Sequence, residues 1–230
     1  MIRSLLFVPG DSEKKMAKGR GNVADGLILD LEDSVSDDRQ EIARELSCAF
    51  LTANPDRSTQ QLWVRINPLD NPLSLPDLAA IMPGAPDGIV IPKVKSAAEV
   101  NKLADYLEIL EVREGLPVGS TKILSVATET AESLLTFHTY LDNVTDRLVA
   151  LTWGGEDLAA ALGASSNKNP VTGGYDDAFI HAKNMCLAAS RAIDAQPMGS
   201  VFVNFRDLEG LEAECLRDRQ SGFIGKIAIH

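Results

Sequence analysis

Residues 26–35 read GLILDLEDSV, three large aliphatic side chains followed by three acids within four positions. Leu27, Ile28 and Leu29 are apolar without alternation, which describes a strand covered on both faces, as in a parallel sheet flanked by helices. Asp30, Glu32 and Asp33 then crowd the carboxyl end of that strand, where like charges repel unless a cation or positioned donors offset them. Such crowding serves a site, not a core. The pattern returns at ILSVATETA, which sets Glu129 after an apolar run, and at LVALTWGGEDLA, which sets Glu156 and Asp157 after another. Acids gathered at several strand ends point to one metal site.

Working outward, strand-like runs occur at residues 5–8, 62–67, 88–92, 123–127, 148–153, 200–204 and 226–229. Helix-like stretches lie between them, near 12–20, 37–51, 131–141, 177–195 and 209–220, with a short helix able to start at Ser74 or Pro76 and a short helical piece behind the sixth run. The helix after residue 96 opens with Ser96 and Glu99 at capping-box spacing. Eight strands alternating with helices predict an α/β fold of the (β/α)8 TIM-barrel type, one catalytic domain over residues 1–230, with a doubly wound open sheet as the alternative topology. No helix follows the eighth run. The expectation is therefore a barrel without an eighth helix, whose apolar flank is covered by self-association.

The chain has 230 residues, 45% hydrophobic, with a net charge of −11 and a sequence pI near 4.7. That acidity argues against nucleic-acid or anionic-membrane partners, which need clustered Lys and Arg. No apolar run approaches the roughly 20 residues that span a bilayer, and the start MIRSLLFVPGD lacks the signal-peptide pattern. A cytoplasmic enzyme is expected. Cys48, Cys186 and Cys215 are widely spaced and read as reduced thiols. His138, His181 and His230 show no metal spacing and read as structural.

In a barrel of this kind chemistry sits at the carboxyl ends of the strands. Glu129 after the fifth strand and Asp157 after the sixth reach one ion from adjacent positions. Two carboxylates without His or Cys favour Mg2+ first and Mn2+ second. The competing reading for Asp157 is a cap on the helix that follows. Arg65 interrupts the apolar strand VRIN, and its fork suits a carboxylate or an enolate oxygen. A structural ion pair of Arg65 with Asp30 or Glu32 remains open beside that role. Lys93 has a similar double reading with more weight on structure. The cluster Lys14, Lys15, Lys18 and Arg20 reads mainly as a solvated helix face, with Lys14 nearest the rim.

The segments RSLLFVPGD, GLILDLEDSV, LWVRINP, GIVIPKVKSAAEV, ATETA, LTWGGEDLAAALG and GFIGKIAIH, in that order, resemble the citrate lyase β-subunit-like proteins. That branch of the HpcH/HpaI aldolase superfamily also holds the malyl-CoA and citramalyl-CoA lyases. The resemblance implies a Mg2+-dependent barrel that makes or breaks a carbon–carbon bond beside a carboxylate or thioester. Carried over, the metal ligands fall on Glu129 and Asp157, and the substrate-binding arginine on Arg65. Asp33 stands where the pyruvate aldolases of the superfamily usually have a catalytic His. Lys95 replaces the family's usual Glu. The family normally continues into an eighth helix and, in malyl-CoA lyases, a C-terminal lid.

The expected activity is cleavage or formation of a citryl-, malyl- or citramalyl-CoA-like thioester, giving a 2-keto acid and an acyl-CoA. Asp33 leads in proton handling, supported by Asp30 and Glu32, and Arg65 stabilises oxyanion charge. In this reading Lys14 and Lys226 meet CoA phosphates, Lys93 assists substrate binding, and the protein is a homo-oligomer such as a trimer or hexamer. Alternatives are an aldolase on free 2-keto acids, a malyl-CoA thioesterase, and a non-catalytic subunit that binds metal and CoA.

Overall fold

In the computed structural model, which describes residues 1–230, eight parallel strands pair in chain order and close into a barrel. They are β1 Ser4–Pro9, β2 Gly26–Asp30, β3 Gln61–Arg65, β4 Gly88–Ile91, β5 Lys122–Val126, β6 Leu148–Thr152, β7 Gln196–Gly199 and β8 Gly225–Ala228. Closure comes from β1 pairing with β8 through Ser4–Lys226, Leu5–Ile227 and Leu6–Ala228. The open-sheet alternative is excluded by that pairing. The helices are α1 Glu13–Arg20, α2 Gln40–Ala53, α3 Ser74–Ile81, α4 Ala97–Glu114, α5 Ala131–Leu135, α6 Gly155–Leu162, α7 Asp177–Ala192 and α8 Leu208–Ser221. Both α6 and α7 fall between β6 and β7, so α8 precedes β8 and the chain runs two residues past that strand.

Strand alternation divides the apolar residues into two cores. Leu5, Ile28, Trp63, Val90, Leu124, Ala150, Met198 and Ile227 fill the inside of the barrel. Leu27, Leu29, Leu62, Val64, Ile89, Ile91, Ile123 and Leu151 pack outward against the helices. Because side chains alternate along a strand, the inward position two after Ile28 is Asp30, and the one two after Trp63 is Arg65. The strands pair Ile28 with Trp63 and Asp30 with Arg65. An apolar floor and a charged ceiling are thus built by one register.

Most of the expected elements lie within a residue or two of their predicted positions. The seventh strand does not. Residues 200–204, with alternating valines, have already left the sheet, and the strand is the unpromising QPMG of 196–199. Its place is set by neighbours: Ala150–Gln196 and Thr152–Met198 on one side, Met198–Gly225 and Gly199–Lys226 on the other. Val201 and Val203 instead project over the barrel mouth. At α4 the start is correct but the box is not made, since the Ser96 side chain caps nothing and Glu99 accepts the N–H of Lys95, one residue before the cap, at 2.7 Å. The expected helix over 131–141 breaks after Leu135 into a 3-10 turn at Phe137–Leu141.

Interior volume is tightest at Gly88, where an added Cβ would lie 2.2 Å from the Trp63 ring. Backbone and a fully buried indole cannot both give way, and overpacking of this kind costs about 1–3 kcal/mol. Gly88→Ala is expected to destabilise the barrel by about 3 kcal/mol, read as a lower urea midpoint. An unchanged midpoint would contradict this packing.

Candidate active site

At the end of β2 the Asp30 carboxylate is fully engaged. Oδ1 accepts Arg65 Nε at 2.6 Å and the Glu32 N–H at 3.1 Å; Oδ2 accepts Arg65 Nη2 at 2.8 Å and the Ser34 N–H at 3.1 Å. This fork-to-fork pair is strong and directional. Burial acts against the charge on Asp30, yet the Arg65 guanidinium and the two amides outweigh it and hold its carboxyl below the ordinary range. Asp30 therefore orients Arg65 and has no free lone pair suited to carrying protons. The structural ion pair expected of Arg65 is present, with Asp30 as its main partner. Two of its nitrogens are committed to Asp30, and Nη1 faces Glu32 Oε2 at 3.0 Å and Asp33 Oδ2 at 3.2 Å. The Phe7 ring covers the guanidinium at 4.6 Å, a cation–π contact.

Glu32 is buried, and its Oε2 is outside hydrogen-bonding geometry despite that short approach to Arg65. Burial pushes its carboxyl up to about 7, against the pull of Arg65 and Lys93 and with help from neighbouring Asp33. Asp33 is different: its side chain is 53% exposed at the rim, and it lines the cavity.

Lys93 follows β4 and adopts the left-handed conformation at φ 52°, unusual for a residue with a Cβ. Its N–H donates to Glu129 Oε2 at 2.7 Å. Its ammonium binds Glu32 and lies 3.4 Å from Asp33 Oδ1 and 3.5 Å from Asp157 Oδ1. Burial disfavours that charge, but Glu32, Glu129 and Asp157 prevail and keep the amine firmly protonated. A neutral, nucleophilic lysine is not available here.

Glu129 stands after β5 with 6% of its surface exposed. Burial, then the like charges of Asp157 and Glu32, raise its carboxyl to about 8, with the Lys93 N–H opposing. Room for it comes from Gly154, where an added Cβ would lie 2.6 Å from Glu129 Cγ. Asp157 lies in the first turn of α6, whose cap position is Gly154 with no side-chain cap. The capping reading of Asp157 is thereby removed, and its carboxylate turns to the cavity and to Lys93.

A cavity of about 390 Å³ opens over the carboxyl ends of the strands. Asp30, Asp33, Arg65, Glu129 and Asp157 line it together with the apolar Val126, Trp153, Val201, Val203, Ile227 and Ile229. The site does not contain three carboxylate, imidazole or thiolate groups arranged as a closed metal cage. It does contain two carboxylates on adjacent strand ends, one of them buried and raised by that burial and by its like-charged neighbours. That donor set fits a hard cation that keeps several positions for water and substrate, as Mg2+ does.

Two sequence expectations are displaced. Lys226 alternates with inward Ile227, so it points outward and binds Glu214 and Asp218 of α8 instead of reaching the mouth. Lys14 is exposed on α1 and does not line the cavity. Other groups were not anticipated. Thr152 is buried, lines the cavity and has an unpartnered Oγ1. Its inward parity with Ala150 was the available signal. Gly154 was foreshadowed only by the glycine pair after a strand.

A closed parallel barrel with its charged groups at the strand carboxyl ends defines an enzyme of the TIM-barrel class. Residues 3–230 match the family model described as HpcH/HpaI aldolase/citrate lyase, and the chain belongs to that family. It is 33% identical over 229 residues to a (3S)-malyl-CoA thioesterase of Cereibacter sphaeroides, spanning all of this chain and 73% of that one. It is 32% identical to the citrate lyase subunit beta of Leuconostoc mesenteroides, spanning 99% of this chain and 72% of that one. Among solved structures it is similar to the protein CitE of Mycobacterium tuberculosis in complex with magnesium, acetoacetate and coenzyme A. There the TM-score is 0.79 at 31% identity, covering 99% of this chain and 76% of that one.

Raised carboxyls set a pH dependence. Between the ordinary value of 4.5 and about 8 the folded state holds a proton on Glu129 that the unfolded chain has released. The native state then binds more protons, so its stability falls as pH rises through that window. Glu129→Gln, uncharged at every pH, is expected to gain stability relative to the wild type steadily from pH 4.5 to about pH 8. Urea denaturation of metal-free protein across the window checks this, and a pH-independent difference would refute it.

Proposed function

We propose that the chain is a Mg2+-dependent carbon–carbon lyase acting on a 3-hydroxyacyl-CoA and releasing a 2-keto acid and an acyl-CoA, or running in reverse. The observation carrying this reading is the convergence of Glu129, Asp157 and the Arg65 fork on one cavity at the strand ends. Family membership and the magnesium, acetoacetate and coenzyme A held by the CitE structure support it. Glu129 and Asp157 would hold the ion. When bound, Mg2+ supplies a template and Lewis acid for a carboxylate and its adjacent oxygen.

The chain's own groups account for the rest of the reaction. The substrate's C2–C3 bond breaks, its 3-hydroxyl loses a proton, and the electron pair moves into the thioester as an enolate that is reprotonated at C2. Arg65, clamped by Asp30, presents Nη1 to developing oxyanion charge, and its planar fork keeps that nitrogen aimed without reorganisation. Asp33, half exposed and facing the cavity, exchanges the proton with solvent. Glu32 and Lys93 lie behind it and set the local field. The apolar wall of Val201, Val203 and Ile229 suits the extended arm of a thioester. The relation to the malyl-CoA thioesterase favours hydrolysis of the same class of thioester as a second reading.

We further infer one catalytic barrel domain over residues 1–230, a cytoplasmic location and a homo-oligomer. No helix is long and apolar enough to cross a membrane. Val203, Phe205 and Ile229 are exposed apolar residues near the mouth, and Phe205 stacks on His230. Sedimentation at micromolar protein is expected to show an assembly, and a strict monomer would reject it.

Glu129→Gln and Asp157→Asn are each expected to abolish the stabilisation by Mg2+, about 2.7 kcal/mol at a hundredfold excess over Kd, and to lower turnover by orders of magnitude. Calorimetric melting with and without Mg2+ tests this; undiminished stabilisation in both variants would reject the site. Product analysis with a malyl- or citramalyl-CoA separates the readings. A 2-keto acid with intact acyl-CoA marks the lyase, and free thiol with the hydroxy acid marks the thioesterase.

A further inference from the structure

Lys93 is the one residue that touches Glu32, Asp33, Glu129 and Asp157 together. Its N–H positions Glu129, and its ammonium is shared among Glu32, Asp33 and Asp157. The two cations Arg65 and Lys93 are in contact with five carboxylates, Asp30, Glu32, Asp33, Glu129 and Asp157, a formal excess of three negative charges in that cluster. Arg65 is committed to Asp30 and packed under Phe7. Lys93 is the cation on a flexible stem, with part of its side chain exposed.

From this geometry we propose that Lys93 is a tethered counter-ion for the metal site, a positioning residue that sets the affinity for divalent cations. In the metal-free protein its ammonium partly neutralises Asp157 and the adjacent acids, and it competes electrostatically with an incoming cation. When a cation binds Asp157, the ammonium is repelled toward Glu32 and Asp33, which already hold it. Those two acids form the resting place that lets the charge withdraw without leaving the protein. The left-handed backbone at φ 52° is the local cost of one residue delivering its N–H to one metal-facing carboxylate and its ammonium to the other. The inference rests on Glu129 and Asp157 being the metal ligands.

A lysine with only a structural role and a competing counter-ion differ in the sign of one measurement. Lys93→Met keeps the N–H and an unbranched side chain one heavy atom shorter but removes the charge. Titration calorimetry with MgCl2 is expected to show about tenfold tighter Mg2+ binding than wild type, ~1.4 kcal/mol, the size of effect one like charge exerts at this range. The same variant is expected to melt below wild type without metal and to show a larger rise on adding Mg2+. Lys93→Arg, which keeps the charge, is expected to stay within about threefold of wild type. Lys93→Gly relieves the left-handed strain and is expected to tighten binding in the same way, which covers the case in which Lys93→Met does not fold.

Equal or weaker Mg2+ affinity in a folded Lys93→Met or Lys93→Gly protein would overturn the counter-ion role while leaving the metal site intact. Failure of the wild type to bind Mg2+ would overturn the metal assignment and this inference together.

Discussion

The bidentate pair between Arg65 and Asp30 is the contact on which the site depends. A guanidinium inside a barrel is costly unless it is matched in both charge and geometry. Here the match is made by register, since Asp30 and Arg65 are directly paired positions on adjacent strands. The same carboxylate accepts the N–H groups of Glu32 and Ser34, so the turn after β2 folds around the anion that holds the arginine. One interaction thereby orients Arg65, shapes the loop, and delivers Glu32 and Asp33 to its remaining nitrogen. Lysine could not replace this arginine, because a point charge cannot hold two oxygens and still present a third donor in a fixed plane.

Charge imbalance gives the site its chemistry. Glu129 at about 8 and Glu32 at about 7 are carboxyls that burial and mutual repulsion have pushed far from their ordinary value. A protein selected for stability alone would neutralise them with another basic group or replace them with apolar ones. Their place beside Asp157, in a cavity that also has apolar lining residues, fits the cation site proposed here. The buried pair of Arg147 and Glu111 is closed off by contrast. At the opposite end, Arg147 and Glu111 make two 2.8 Å bonds, and the Gly119 and Thr121 amides complete the carboxylate. The contrast between a satisfied pair and an unsatisfied cluster separates structural from functional charge.

Small residues and strained backbone make the cluster possible. Gly154 leaves the space that Glu129 occupies, and the unshielded start of α6 places Asp157 beside it. Positive φ at Lys93 brings a third chain segment to the same point. None of these features stabilises the barrel, and each is intelligible once the carboxylates must converge.

Much of this was legible in the chain itself. Runs such as LILD and WVR end in charged residues, and acids after three such runs imply a shared end, while the division into inward Ile28 and Trp63 and outward Leu27 and Leu29 came only with the barrel. Local sequence also marked the positions of seven strands, because β-branched and aliphatic runs between turn residues need no distant partner to be recognised. What local sequence could not determine depends on closure. The seventh strand is QPMG and not the valine-rich stretch after it, because pairing with β6 and β8 decides which residues lie in the sheet. Lys226 faces α8 because an offset of one residue reverses every side chain of a strand. The raised carboxyls, the sharing of Lys93 among acids on three loops and the space above Gly154 arise only when segments far apart in sequence meet, since burial and Coulomb energy depend on distance in space and not on distance along the chain.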